Sequence, residues 1–194
     1  MENKKIIEFF DKRAATWDEG FSSNSEIKNI ILDNAKVSEG LSILDVGCGT
    51  GRLFPDYFDR GVSHVTGIDI SEKMIVVAKS KFDDANVSLL CADADTVTFN
   101  RMYDICIIYN VFPHLSNPES SIQNLSAFIK TGGILTIAHG KSREQVDSHH
   151  QHLGSEVVAM LLPDNEMIDL LSKNYEDIRI ISNERMYQIV CVKK

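Results

Sequence analysis

Strand and helix signals alternate from residue 41 onward, and that alternation predicts an α/β chain built on a doubly wound, mostly parallel sheet covered by helices on both faces. Two further observations support this class. The apolar run Ile43, Leu44, Asp45, Val46 leads straight into the turn Gly47, Cys48, Gly49, Thr50, Gly51. Alternate glycines permit positive φ and leave no Cβ between backbone and ligand, so this turn is built to hold one. The last two apolar runs are joined only by Asn183, Glu184 and Arg185, too short a link for a crossover helix, so the final pair of strands is antiparallel.

Strands are expected near residues 41 to 46, 64 to 69, 86 to 91, 104 to 109, 133 to 138, 176 to 182 and 186 to 192. Ahead of them, residues 1 to 36 hold two amphipathic stretches, one with Ile6, Ile7, Phe9 and Phe10 and the other with Ile27, Ile30 and Ile31, joined by a segment carrying Trp17 and Phe21. Residues 52 to 60 start a helix whose free N–H groups face the ligand of the glycine turn. Ser71 caps a helix with Met74, Ile75, Ala78 and Phe82 at helical spacing. Asn117 caps and Pro118 opens another, carrying Ile122, Leu125 and Ile129, while Asp164 caps one carrying Met167, Ile168 and Leu171. Ser142 and Gln145 form a capping-box pattern inside residues 139 to 163.

Composition bounds the rest. With 194 residues, 43% hydrophobic and 25% charged, the chain can bury one sizeable core, and residues 1 to 194 are expected to form a single domain. No apolar run approaches the ~20 residues that span a bilayer, and the charged start does not suit a signal peptide, so a cytoplasmic protein without membrane insertion is expected. Cys48, Cys91, Cys106 and Cys191 form no C-x-x-C pair and read as reduced, mostly buried thiols, indicating neither disulfide nor zinc. Twenty-eight acids against 20 bases give a net charge of −8 without a basic stripe, which argues against a nucleic-acid substrate.

Spacing decides what the glycine turn holds. A dinucleotide fingerprint requires glycine at position 52, where this chain has Arg52, so NAD and FAD are disfavoured. G-x-G-x-G after Asp45 resembles motif I of the class I S-adenosylmethionine (SAM)-dependent methyltransferases. The run ending at Asp69, 18 residues after Gly51, supplies a carboxylate where a doubly wound fold binds ribose hydroxyls. A third run ends in Ala92, Asp93 and Ala94 and looks like the segment whose aspartate accepts the adenine amino group. Residues 103 to 110 resemble motif IV, and residues 132 to 138 the helix-to-strand passage that follows it. Alone, a glycine turn is an ordinary connection and Asp69 or Asp93 a solvated strand end; their ordered series over residues 40 to 140 carries the resemblance.

The resemblance implies SAM as cofactor, contacted by Asp45, Gly47, Cys48, Gly49, Gly51, Asp69, Ile70, Met74, Asp93, Ala94 and Asn110, and a seven-stranded sheet of order 3-2-1-4-5-7-6. Base-modifying relatives show Asp or Asn, Pro, Pro, then Tyr or Phe in motif IV. This chain has Asn110, Val111, Phe112 and Pro113, which points to a small-molecule methyl acceptor. The segment around Phe10 and Trp17 is similar to one that covers the SAM site in small-molecule members, although the same aromatics could simply pack helices on the sheet. Residues 1 to 36 thus read as a helical cap and residues 139 to 163 as a substrate-side insertion.

His114 follows the fourth strand, at the carboxyl edge where open α/β sheets bind ligands, and is the candidate general base, with His139 second. Its alternative role is to shape the pocket or bond backbone. His139, His149, His150 and His152 crowd the insertion, but H-x-x-H on a polar helix is commonly a solvated face, and no metal site is assigned. A non-catalytic SAM-binding regulator would keep Asp45, Asp69 and Asp93 while lacking an open methyl-acceptor pocket. A nicotinamide-dependent oxidoreductase is disfavoured by Arg52.

Overall fold

A computed structural model describes residues 3–19, 25–151 and 160–194 of the chain. Phe21 and His152 lie outside the described residues. In chain order the elements are α1 (Asn3–Asp11), a 3-10 turn (Ala14–Thr16), α2 (Ser25–Asn34), β1 (Ser42–Val46), α3 (Phe54–Asp59), β2 (His64–Asp69), α4 (Glu72–Lys81), β3 (Val87–Cys91), β4 (Tyr103–Tyr109), a second 3-10 turn (Phe112–His114), α5 (Pro118–Ser126), β5 (Ile129–His139), α6 (Arg143–Gln151), α7 (Asp164–Ser172), β6 (Tyr175–Ser182) and β7 (Tyr187–Lys193). Among the described residues no helix is long and apolar enough to cross a membrane.

The seven strands form one sheet of order β3-β2-β1-β4-β5-β7-β6, as expected. β1 pairs in parallel with β2 and β4, and β7 runs antiparallel to both neighbours. The pleat sends alternate residues of β1 to opposite faces. Leu44 and Val46 join Ile108, Leu135 and Ile137 beneath Ile122 and Leu125 of α5 and Met167 and Leu171 of α7. Ile43 instead packs with Val65, Ile105 and Ile107 beneath Leu32, Phe54, Tyr57 and Ile75. Each such fully buried aliphatic side chain contributes roughly 1.5 to 3 kcal/mol of burial. These two layers pack the opposite faces of the sheet.

Local chemistry corrects several expectations. Ser71 does cap α4, its side chain accepting from the Met74 N–H at 3.2 Å, and Asn117 caps α5 by accepting from the Ser120 N–H at 3.1 Å. Asp164 does not cap α7: Pro163 holds that position, and the Asp164 carboxylate takes the Tyr187 hydroxyl at 2.9 Å and the Arg143 guanidinium at 2.6 Å. Ile129 is not in α5, which ends at Ser126; it opens β5 opposite Tyr103, ahead of a register shift. The helix after the glycine turn begins only at Phe54, leaving Arg52 in the turn. Phe82 has left α4 for extended backbone and packs against Phe54, ring centroids 5.0 Å apart and tilted by 48°. Of the four free cysteines, Cys91 is exposed.

Candidate functional site

A cavity of about 600 Å³ opens where β1, β2 and β4 end, the edge at which open α/β sheets bind ligands. Its floor is the glycine turn. Gly47, at φ +67, faces Val111 from the loop after β4; a Cβ there would stand 2.4 Å from a Val111 methyl, so only glycine lets these two loops meet. The Cys48 N–H bonds the Ile68 carbonyl at 2.9 Å and ties the turn to β2.

Asp69, last residue of β2, accepts the Gly49 N–H on one carboxylate oxygen at 2.9 Å and the Ser71 N–H on the other at 2.8 Å. An ionised carboxylate has about four lone-pair sites, so two remain for other donors. Burial pushes this carboxyl up to about 6, against the pull of the two N–H bonds, with the charge of Asp11 adding to the rise. Asp45 is 2% exposed and accepts the Tyr57 hydroxyl at 3.1 Å. Burial pushes it up to about 7; the Tyr57 bond opposes that rise and the neighbouring Asp69 charge assists it. Burial likewise raises the Cys48 thiol well above its ordinary range, so it stays a neutral wall group.

Asp93 accepts the Asp95 N–H at 3.0 Å and the side-chain amide of Asn3 from α1. Asn110 adopts φ +58, donates its N–H to the Ala138 carbonyl at 2.8 Å and accepts the Gly140 N–H at 3.1 Å, linking the ends of β4 and β5. Ile70, Met74 and Ala94 complete this wall. Of the residues expected around a cofactor, Gly51 alone does not line the cavity. A Cβ on it would stand 2.6 Å from the Phe82 ring, so its glycine serves aromatic packing behind the turn.

The N-terminal segment also lines the cavity. Phe10 meets Trp17 edge-on at 5.6 Å and His114 at 5.1 Å between ring centroids, and all three line the cavity. Asp11 accepts the Ser71 hydroxyl at 2.6 Å, and Asp18 accepts the Thr50 hydroxyl at 2.8 Å and meets Lys81 at 2.9 Å. His139, 3% exposed at the end of β5, lines the far side with Tyr109, Gly140 and Lys141. Ser142 and Gln145 do form a reciprocal capping box that starts α6 beside the cavity. His149 and His150 belong to α6. Among the described residues no three His, Cys, Asp or Glu side chains gather into a metal-binding group.

Nothing local in the sequence marks Asn3, Lys28, Tyr57 or Lys141 for this site, and Arg52 reads there only as a helix start and as the residue that breaks a dinucleotide fingerprint. Asp11 and Asp18 carried a usable signal, since both sit in the segment whose resemblance suggested a cover.

A methyltransferase-domain family profile matches residues 44–137. A malonyl-acyl-carrier-protein O-methyltransferase of Acetivibrio thermocellus is 31% identical over 142 residues, covering 71% of this chain and 50% of that protein. A ubiquinone biosynthesis O-methyltransferase of Coxiella burnetii is 34% identical over 128 residues, covering 64% of this chain and 54% of the relative. The chain therefore spans about half the length of the curated relatives it matches. Among solved structures, the N-methyltransferase NodS of Bradyrhizobium japonicum WM9 in complex with S-adenosyl-L-homocysteine (SAH) superposes with a TM-score of 0.74 at 13% identity over 99% of both chains, which shows a shared fold.

Proposed function

The chain belongs to the class I S-adenosylmethionine-dependent methyltransferase family, and from that premise we propose that it transfers the methyl group of SAM to a small-molecule acceptor. One observation carries the reading: the single cavity lined by the glycine turn, Asp69 and Asp93 is also lined by Tyr109, His114, His139 and Lys141, polar groups that binding of the cofactor's ribose and adenine does not call on.

The residues present fit the cofactor. Asp69 retains acceptor capacity for a ribose cis-diol, the glycine turn offers backbone close to the ligand, and Asp93 stands where an adenine amino group could donate. SAM supplies an electrophilic sulfonium methyl, so alignment and water exclusion are the protein's main tasks. Phe10 and Trp17 would exclude water from above. His114 or His139, both of which line the cavity, would take the proton of an acidic nucleophile. A single-domain unit over residues 1 to 194 and a cytoplasmic location belong to the same reading, the latter supported by four free thiols.

Calorimetric titration with SAH, followed by transfer of labelled methyl from SAM across a metabolite panel, tests this. Saturable SAH binding with label in at least one small product supports it, whereas SAH binding without transfer to any member returns the protein to the regulatory class.

A further inference from the structure

Asn3 opens α1 and lines the cavity together with Asp93 and Ser116, which lie 90 and 113 residues further along the chain. Its side chain bonds both. An ionised carboxylate only accepts, so the amide nitrogen of Asn3 is the atom that donates to Asp93, and the amide oxygen takes the Ser116 hydroxyl. The other Asp93 oxygen accepts the Asp95 N–H at 3.0 Å. A primary amide has two N–H donors, and among the described residues the second one of Asn3 meets no acceptor. The Asp93 oxygen beside it keeps a lone pair. A donor and an acceptor from segments far apart in the chain therefore stand next to one another at the cavity. Ile6, one turn on in α1, and Leu115 line it as well and give the polar pair apolar company.

Adenine carries the matching pair on its edge, an amino donor beside a ring nitrogen that accepts, whereas guanine and hypoxanthine carry an acceptor oxygen in place of that amino group. We propose that Asn3 reads the base of the cofactor: its second N–H donates to the adenine ring nitrogen next to the amino group, while Asp93 accepts from the amino group itself. This rests on the methyltransferase reading, which brings SAM to the cavity, and adds to it a specificity determinant supplied by α1. A side chain that merely fastened α1 to Asp93 would be indifferent to the ring nitrogens. A reading residue loses a bond when the nitrogen it meets becomes C–H, and its N–H is then left without a partner inside the protein.

SAH and its 1-deaza, 7-deaza and 3-deaza adenine analogues are titrated calorimetrically into the wild-type chain and into Asn3→Ala. The first two analogues replace, in turn, each ring nitrogen beside the amino group with C–H. The third changes a nitrogen remote from it and is the control. In the wild type, one of the first two is expected to bind roughly five-fold or more weakly than SAH, with the 3-deaza analogue within about two-fold of SAH. In Asn3→Ala, SAH should bind more weakly and the gap between it and the sensitive analogue should close to within about two-fold. A wild type that binds all four compounds alike, or loses as much with the 3-deaza analogue as with the others, overturns the inference without any variant. So does an Asn3→Ala chain in which SAH and the analogues weaken in step and the gap persists, which is what losing a simple fastening would do. Wild-type protein that fails to bind SAH overturns the methyltransferase reading itself, and the inference with it.

Discussion

Gly47 and Gly40 share a positive φ, +67 and +81, but differ in what surrounds them: a Cβ on Gly47 would strike Val111, whereas one on Gly40 meets open space. Both alanine variants carry backbone strain, but Gly47→Ala must also displace a branched side chain, an overpacking cost of roughly 1 to 3 kcal/mol. Urea denaturation should show Gly47→Ala less stable than Gly40→Ala by that margin, and SAH affinity should fall only in the former; equal losses would remove Val111 from the account. The histidines are separated by kinetics. If His114 is the base, His114→Ala should lower kcat by roughly 10² to 10⁴-fold with SAH affinity nearly intact, while His139→Ala changes mainly the methyl acceptor's KM. Wild-type kcat for His114→Ala from pH 6 to 9 would transfer the role or abolish it. Asp45, Asp69 and Asp93 were legible in the sequence because each ends or closely follows an apolar strand. The Tyr57 bond to Asp45 was not, since it depends on how α3 packs across β1.

At the level of elements, the strands and the caps of α4 and α5 could be read locally, because pleat alternation and a capping side chain are properties of a few consecutive residues. The start of β5 could not. It pairs Ile129 with Tyr103 before the shift to Ile105 and Ile134, and that pairing exists only once β4 is in place. Asp164 misled for the same reason, its carboxylate being claimed by Tyr187 and Arg143 from distant elements. The N-terminal segment that lines the cavity was legible as composition but not as attachment. Asp11 holds it to the start of α4, and Asp18 holds it to the glycine turn and to Lys81. If this segment closes over the cofactor, SAH should slow amide exchange across residues 10 to 19, as ordering of a cover requires. Asp18→Ala should loosen that protection and speed SAH release several-fold without changing exchange in β4. Protection that is identical with and without SAH would make the segment plain packing.

For the whole molecule, the parallel sheet gathers Asp45 and Asp69 at one edge, and their raised proton affinities make stability depend on pH. Burial pushes Asp45 up to about 7 and Asp69 up to about 6, both above an unfolded value near 3.8. Between about pH 4 and 7 the folded chain therefore holds protons that the unfolded chain has released. The contribution of these two groups is fully present below the unfolded value and is lost as pH rises through 6 and 7. Asp18 and Asp104 run the other way: partial burial opposes ionisation, but bonds from Lys81 and Thr50, and from Lys130 and Ser42, hold both carboxyls below the ordinary range. Their contribution is lost only as pH falls through those lowered values, so it is constant above pH 5. Unliganded protein should accordingly melt several degrees lower at pH 8 than at pH 5.5, with Asp45→Asn flattening the upper part of the slope. If the cofactor lies as proposed, its binding should oppose this dependence, because ribose hydroxyls would bond the ionised Asp69 and the sulfonium charge would favour ionised Asp45. The rise in melting temperature on adding SAM should therefore grow from pH 5.5 to 8, and grow less with SAH, which lacks the sulfonium. Melting curves over that range, with and without each ligand, decide the matter: an unliganded melting temperature independent of pH, or equal growth for SAM and SAH, would break the link between these buried carboxyls and the cofactor.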